Sequence, residues 1–174
     1  MRISTTQLVA SSAHPKLSLI TPTLTTEKTK IGNQGTSTKT PDIAPCTNLY
    51  RDAPSGQPGK AVLSSSRNTP RKLLQGDGVK LLRVGTLERH PHTSQAFVPM
   101  GSTSETAYIV IVADDKKDGT PDLSSIKAYA MKGDEGICYA AGVWHAPMAV
   151  INQVCSNGGI RTDGRNWISQ SFNT

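Results

Sequence analysis

AYIVIVA, residues 107–113, settles the class of structure this chain forms. Tyr108, Ile109, Val110, Ile111 and Val112 are aromatic or β-branched, types that pack well on a pleated surface. The run is also too short for a helix of ordinary length, so it predicts a strand. Downstream, DDKKDGTPD (114–122) reads as a solvated turn, and Asp122 to Ile126 as a single helical turn. Extended segments follow at Lys127–Met131, Ile137–Tyr139 and Met148–Ile151, with a chain reversal at Gly133–Gly136. Upstream, Val79–Val84 and Gln95–Val98 read as strands, and Ala61–Leu63 as a short one.

Short strands separated by turn residues predict an all-β sandwich or barrel. The 15 glycines and 11 prolines suit that class better than a helical bundle. Turn signals recur at Gly32–Gly35, Ala53–Gly56 and Gln57–Gly59. Residues 1–31 are crowded with Ser, Thr and Pro and read as loop, disorder or a poor edge strand.

At 174 residues the chain is long enough for one domain with a sizeable core. Its apolar fraction of 36% and mean hydropathy of -0.35 fit a soluble protein. No apolar run approaches the roughly 20 residues that a bilayer crossing needs, which argues against a membrane protein. The net charge of +6 is concentrated before residue 81. There the basic residues, the Arg71–Lys72 pair apart, stand singly among Ser, Thr and Pro, almost without aromatic neighbours, a pattern of solvated surface rather than a nucleic-acid interface. Cys46, Cys138 and Cys155 form no C-x-x-C pair and read as reduced thiols of an intracellular protein. The first residues lack the basic head and apolar stretch of a secretory signal. P-loop, G-x-G-x-x-G, H-E-x-x-H and nucleophile motifs are absent from the sequence.

The chemistry lies in two runs, LERHPHTSQAFVPM (87–100) and GICYAAGVWHAPM (136–148), which hold three of the four histidines. If the first run is extended, Glu88, His90 and His92 face one way and Arg89 the other. Gln95 rejoins them after a turn, and His145 arrives from a second hairpin. Neutral imidazoles bind divalent metals, and their ordinary pKa near 6.5 suits proton transfer. One isolated histidine is more often a satisfied structural residue; this cluster reverses that expectation. Trp144 is either a core residue or an apolar wall that excludes water. Arg67, Arg71 and Arg89 are available to bind a carboxylate through two parallel hydrogen bonds, although a loop arginine is usually solvated.

LERHP (87–91), SQAFVPM (94–100) and GVWHAPM (142–148) resemble the signature of the ureidoglycolate lyase family, also called ureidoglycolate hydrolase. NQGT (33–36), TNLY (47–50) and SRNTPR (66–71) are similar to its fungal branch. The resemblance spans residues 32–151 and implies a cupin-like antiparallel β-barrel. Gln95 then stands where a cupin usually has glutamate, and Ala140 where it often has proline. The implied activity is cleavage of (S)-ureidoglycolate to glyoxylate and urea in allantoin and purine breakdown. His90 and His145 would serve as acid and base, their order open, with Gln95 holding the developing oxygen. Arg67 or Arg89, Trp144 and Asn33 would contact the substrate. A divalent metal, nickel by family analogy, would take His90, Gln95 and His145; no organic cofactor is implied. The pattern does not require His92. A homodimer in the cytoplasm completes the implied picture. The runner-up is a silent cupin-type protein that binds a small carboxylate or metal without turnover.

The ends depart from the family pattern. Residues 1–31 are expected to lie outside the domain at 32–151. The tail at 152–174 is expected to replace the family's closing strand, leaving an open, less soluble edge, as an imperfect gene model would.

Overall fold

Both faces of Tyr108–Ala113 are buried. Ile109, Ile111 and Ala113 join one apolar cluster with Ile3, Leu82, Leu87 and Trp144. Tyr108, Val110 and Val112 join a second with Tyr129, Ile137, Tyr139 and Val143. A strand covered on both sides has no polar face, which is why its sequence runs apolar without alternation.

The computed structural model describes residues 2–4, 8–9, 14–21, 23–100, 105–151, 155–163 and 168–171. In chain order its strands are β1 (Arg2–Ser4), β2 (Leu8–Val9), β3 (Leu17–Ile20), β4 (Lys30–Gly32), β5 (Ser37–Lys39), β6 (Lys60–Asn68), β7 (Leu74–Gly76), β8 (Val79–Arg83) and β9 (Thr86–Arg89). They continue with β10 (Gln95–Met100), β11 (Tyr108–Ala113), β12 (Lys127–Met131), β13 (Gly136–Tyr139), β14 (Trp144–His145), β15 (Ala149–Val150), β16 (Cys155–Asp163) and β17 (Ile168–Ser171). The Asp122 turn is a short 3-10 helix whose capping carboxylate accepts from the Ser124 amide.

Three sheets stack. The middle one runs β17-β9-β14-β11-β12-β2, with β15 also on β11. One face of it meets the sheet β1-β8-β7 through the first cluster. The other meets the sheet β3-β13-β10-β16-β6 through the second. The β4–β5 hairpin stands apart from these ladders. Among the described residues the ladders are antiparallel except for β2 on β12. A fully buried side chain such as Ile111 contributes roughly 1.5–3 kcal/mol to this stack.

The all-β class is therefore as expected, but the sheets do not close into a barrel. Among the described residues no ladder joins the edges β6, β17 and β2. Layering does what closure would have done: the third sheet covers the apolar face of the middle one. Segments outside 32–151 contribute backbone to these sheets, with β3 beside β13, β16 between β10 and β6, and β17 beside β9. Residues 1, 5–7, 10–13 and 22 of the N-terminal segment, and 152–154, 164–167 and 172–174 of the tail, lie outside the described residues.

Candidate active site

The site forms between the middle sheet and the five-stranded one. β14 lies between β9 and β11, so His145 stands opposite Glu88 on one side and Val112 on the other. Strand alternation sends Glu88 and His145 toward the five-stranded sheet and Arg89 and Trp144 to the reverse face. From the five-stranded sheet, Gln95 on β10 and Tyr139 on β13 are directly opposed. They share the parity of Phe97 and Ile137, which pack in the second cluster. His90 follows β9, and its carbonyl accepts a 2.9 Å bond from the Gly142 amide. Gly142 has φ +81°, a backbone that glycine adopts without strain. The two histidine-bearing runs are thus tied together through their main chains.

The imidazoles of His90 and His145 lie with ring centroids 5.5 Å apart, tilted by 37°. Tyr139 stacks flat on His145, with centroids 4.1 Å apart and planes 15° from parallel. His145 Nδ1 lies 2.8 Å from the Val143 carbonyl oxygen. A carbonyl only accepts, so Nδ1 carries the proton and Nε2 the lone pair. That Nε2 is 3.8 Å from Glu88 Oε1. His145 is only 2% exposed. Burial holds its pKa down to about 3, the Val143 bond opposing this and His90 adding to it. The ring is neutral at pH 7. Among the described residues, His145 Nε2 and Gln95 Oε1 are buried without a hydrogen-bond partner, as are Arg89 Nε and Trp144 Nε1 on the far face of the sheet. Such orphaned atoms call for an explanation, and for the first two a bound metal or substrate supplies one.

The other expected residues sit elsewhere. Pro91 and His92 form a turn, and the His92 ring lies 6.0 Å from Tyr50, its carbonyl bonded to the Leu49 amide at 2.7 Å. A cleft of about 670 Å³ between Asn48 and Gly59 opens beside this contact, apart from the paired imidazoles. Arg89 donates to Asp115 at 2.8 Å, and its guanidinium carbon lies 4.7 Å from the Trp144 ring centroid. Arg67 is exposed on β6. Asn33 is exposed beside the β4–β5 hairpin, where its amide donates to Thr36 at 2.8 Å. The structure thus brings His90, His145, Gln95 and Tyr139 into one interlayer region, and sets Arg89 and Trp144 on the far side of the sheet.

A family profile described as ureidoglycolate lyase matches residues 2–165. The chain belongs to the ureidoglycolate lyase family. It is 36% identical over 122 residues to a protein named ureidoglycolate lyase from Schizosaccharomyces pombe, covering 70% of this chain and 64% of that one. A protein of the same name from Saccharomyces cerevisiae is 47% identical over 72 residues, 40% of this chain and 36% of its own length. Another, from Burkholderia mallei, is 37% identical over 119 residues, 66% of this chain and 61% of its own. The chain therefore spans less than two thirds of the length of each of these relatives.

Two residues beyond the sequence-derived site candidates stand in this region of the ureidoglycolate lyase family member. Glu88 joins His90 and His145 in a group whose ligand atoms all lie within 4.8 Å of one another. The carboxylate that Gln95 fails to supply comes instead from the residue two positions before His90. The shared parity of Glu88 and His90 was the available signal. The sequence marks Tyr139 only as part of a strand; its parity with Ile137 puts it on the inward face. Two imidazoles and a carboxylate make a donor set that fits a divalent first-row metal.

Proposed function

We propose that this chain cleaves (S)-ureidoglycolate to glyoxylate and urea. The observation that supports the reading best is the meeting of His90 and His145 in one buried region, in a chain of this family. The substrate carries a hydroxyl, a carboxylate and a urea nitrogen on one carbon. Cleavage moves the hydroxyl proton away while the carbon–nitrogen bond breaks, the carbonyl forms and the urea nitrogen gains a proton. His145 Nε2 accepts the hydroxyl proton. Burial makes its imidazolium reluctant to keep that proton, so it passes readily to the departing nitrogen. Glu88, 3.8 Å away, offsets the transient positive charge. Gln95 Oε1 accepts an N–H of the urea group, which orients the substrate. His90 completes the polar wall.

In a metal-loaded form, Glu88, His90 and His145 would hold a divalent metal, nickel in this reading, with Gln95 Oε1 as a further oxygen donor. His145 Nε2 would then be occupied as a ligand, and the metal's charge would take the place of the His145 base in acidifying the hydroxyl. Bound there, the metal supplies positive charge for the substrate's carboxylate and hydroxyl oxygens. We further propose a cytoplasmic homodimer, which sedimentation would show as about twice the 18.5 kDa chain mass. Among the described residues no helix is long and apolar enough to cross a membrane. The deciding experiment is to assay glyoxylate and urea from the full chain and from His145→Ala. Release of both by the full chain and its loss in the variant support the reading. Metal binding without any release would instead favour the silent binding protein.

A further inference from the structure

We propose that Tyr139 is a positioning residue: its ring clamps the face of the His145 imidazole and holds Nε2 toward Glu88 and His90. The consequence for metal binding and proton transfer rests on the function proposed above; the clamp itself rests on geometry alone. An imidazole turns about its terminal torsion through a broad, shallow well, so a single contact does not define the ring plane. The Val143 carbonyl holds His145 at one edge, at Nδ1. That bond leaves the ring free to swing about the bonded atom. Tyr139 removes this freedom by covering the face at 4.1 Å, nearly parallel. Edge and face together leave one orientation.

The clamp is itself anchored. Phe97 meets Tyr139 edge-on at 6.2 Å and 78°, and the Gln95–Tyr139 pairing fixes its backbone. Tyr139 belongs to the five-stranded sheet and His145 to the middle one, so the stack also joins the two sheets across the site. Burial, and secondarily the charge of Glu88, push the Tyr139 hydroxyl pKa upward, so the ring next to the imidazole stays uncharged. A flat, neutral ring is what a stacked support needs, and it does not itself react.

The test compares Tyr139→Phe, which keeps the ring, with Tyr139→Leu, which removes it, in the full chain. Nitrogen-15 NMR of metal-free, histidine-labelled protein reports the His145 tautomer, and calorimetry with Ni²⁺ alone reports affinity. The Phe variant is expected to keep the single Nδ1–H tautomer and the Ni²⁺ affinity. The Leu variant is expected to show mixed tautomers and ~10- to 100-fold weaker Ni²⁺ binding. A folded Leu variant with one tautomer and unchanged affinity would overturn the proposal. A measurement that needs no variant stands beside these: a stacked phenol shifts the His145 ring-carbon protons of the wild type upfield. Unshifted protons would overturn the clamp even if the Leu chain fails to fold. If the wild type neither binds Ni²⁺ nor releases glyoxylate, the proposed function falls, while the tautomer and ring-shift results still decide the role of Tyr139.

Discussion

Trp144 and His145 are adjacent in the chain, yet they serve opposite faces of the middle sheet. So do Arg89 and Glu88. On one face, Trp144 packs with Leu82, Leu87 and Ile111, and Arg89 lies over the indole with Asp115 at its end. On the other, Glu88, His90 and His145 set three potential ligand groups within 4.8 Å of one another, under the stacked ring of Tyr139. The contrast teaches that the period-two alternation of a strand can divide structural from chemical duty one residue at a time. A burial value cannot make that division, because Trp144 and His145 are equally enclosed.

The sharpest way to break the comparison is to cut each side chain in turn. His145→Ala should lower glyoxylate release by ~10²–10⁴-fold, with far-ultraviolet circular dichroism unchanged. Trp144→Ala should act on stability instead, costing about 3–5 kcal/mol in a urea melt. Should the tryptophan variant melt normally while losing turnover, the two faces would not be divided as described. Gly142→Ala sharpens the contrast at the link between the two runs. A Cβ meets nothing within 4 Å there, so the penalty is the positive φ alone, about 1–2 kcal/mol. The measurement is a urea melt paired with the release assay, and turnover should fall further than stability alone predicts.

Cys138 gives the smallest effect. Burial pushes its thiol pKa up to about 11, with nearby Cys46 adding to the shift. A raised pKa means the folded state disfavours the thiolate. This contribution to stability is intact below the ordinary thiol pKa near 9 and is lost as pH rises through about 11. Iodoacetamide at pH 8, read by peptide mass mapping, should therefore modify exposed Cys46 well before Cys138.

Much of this was legible in the sequence. AYIVIVA announced its strand through residue type alone, and His90, Gln95 and His145 stood out as polar groups beside apolar runs. What stayed hidden depended on distant pairing. The register that sets Glu88 opposite His145 joins hairpins far apart in the chain, and no local pattern encodes it. β14, at two residues, is too short to show any periodicity, so which of Trp144 and His145 points inward could not be read. The extended reading of Glu88–His92 ran through Pro91, where the turn carries His92 away to Tyr50. Barrel closure was likewise a matter of how sheets meet, beyond what strand spacing specifies.

β6 carries a last consequence. Among the described residues it ends its sheet, and most of its residues are exposed on both faces, Leu63 to 77%. A bare margin of this kind is a template on which foreign chains can grow into fibrils. Ser64, Ser65 and Ser66, with Lys60 and Arg67 near the ends, make that template unattractive by hydration and charge. Directed evolution of this protein should therefore leave those five positions polar, since greasier replacements would favour edge-to-edge precipitation.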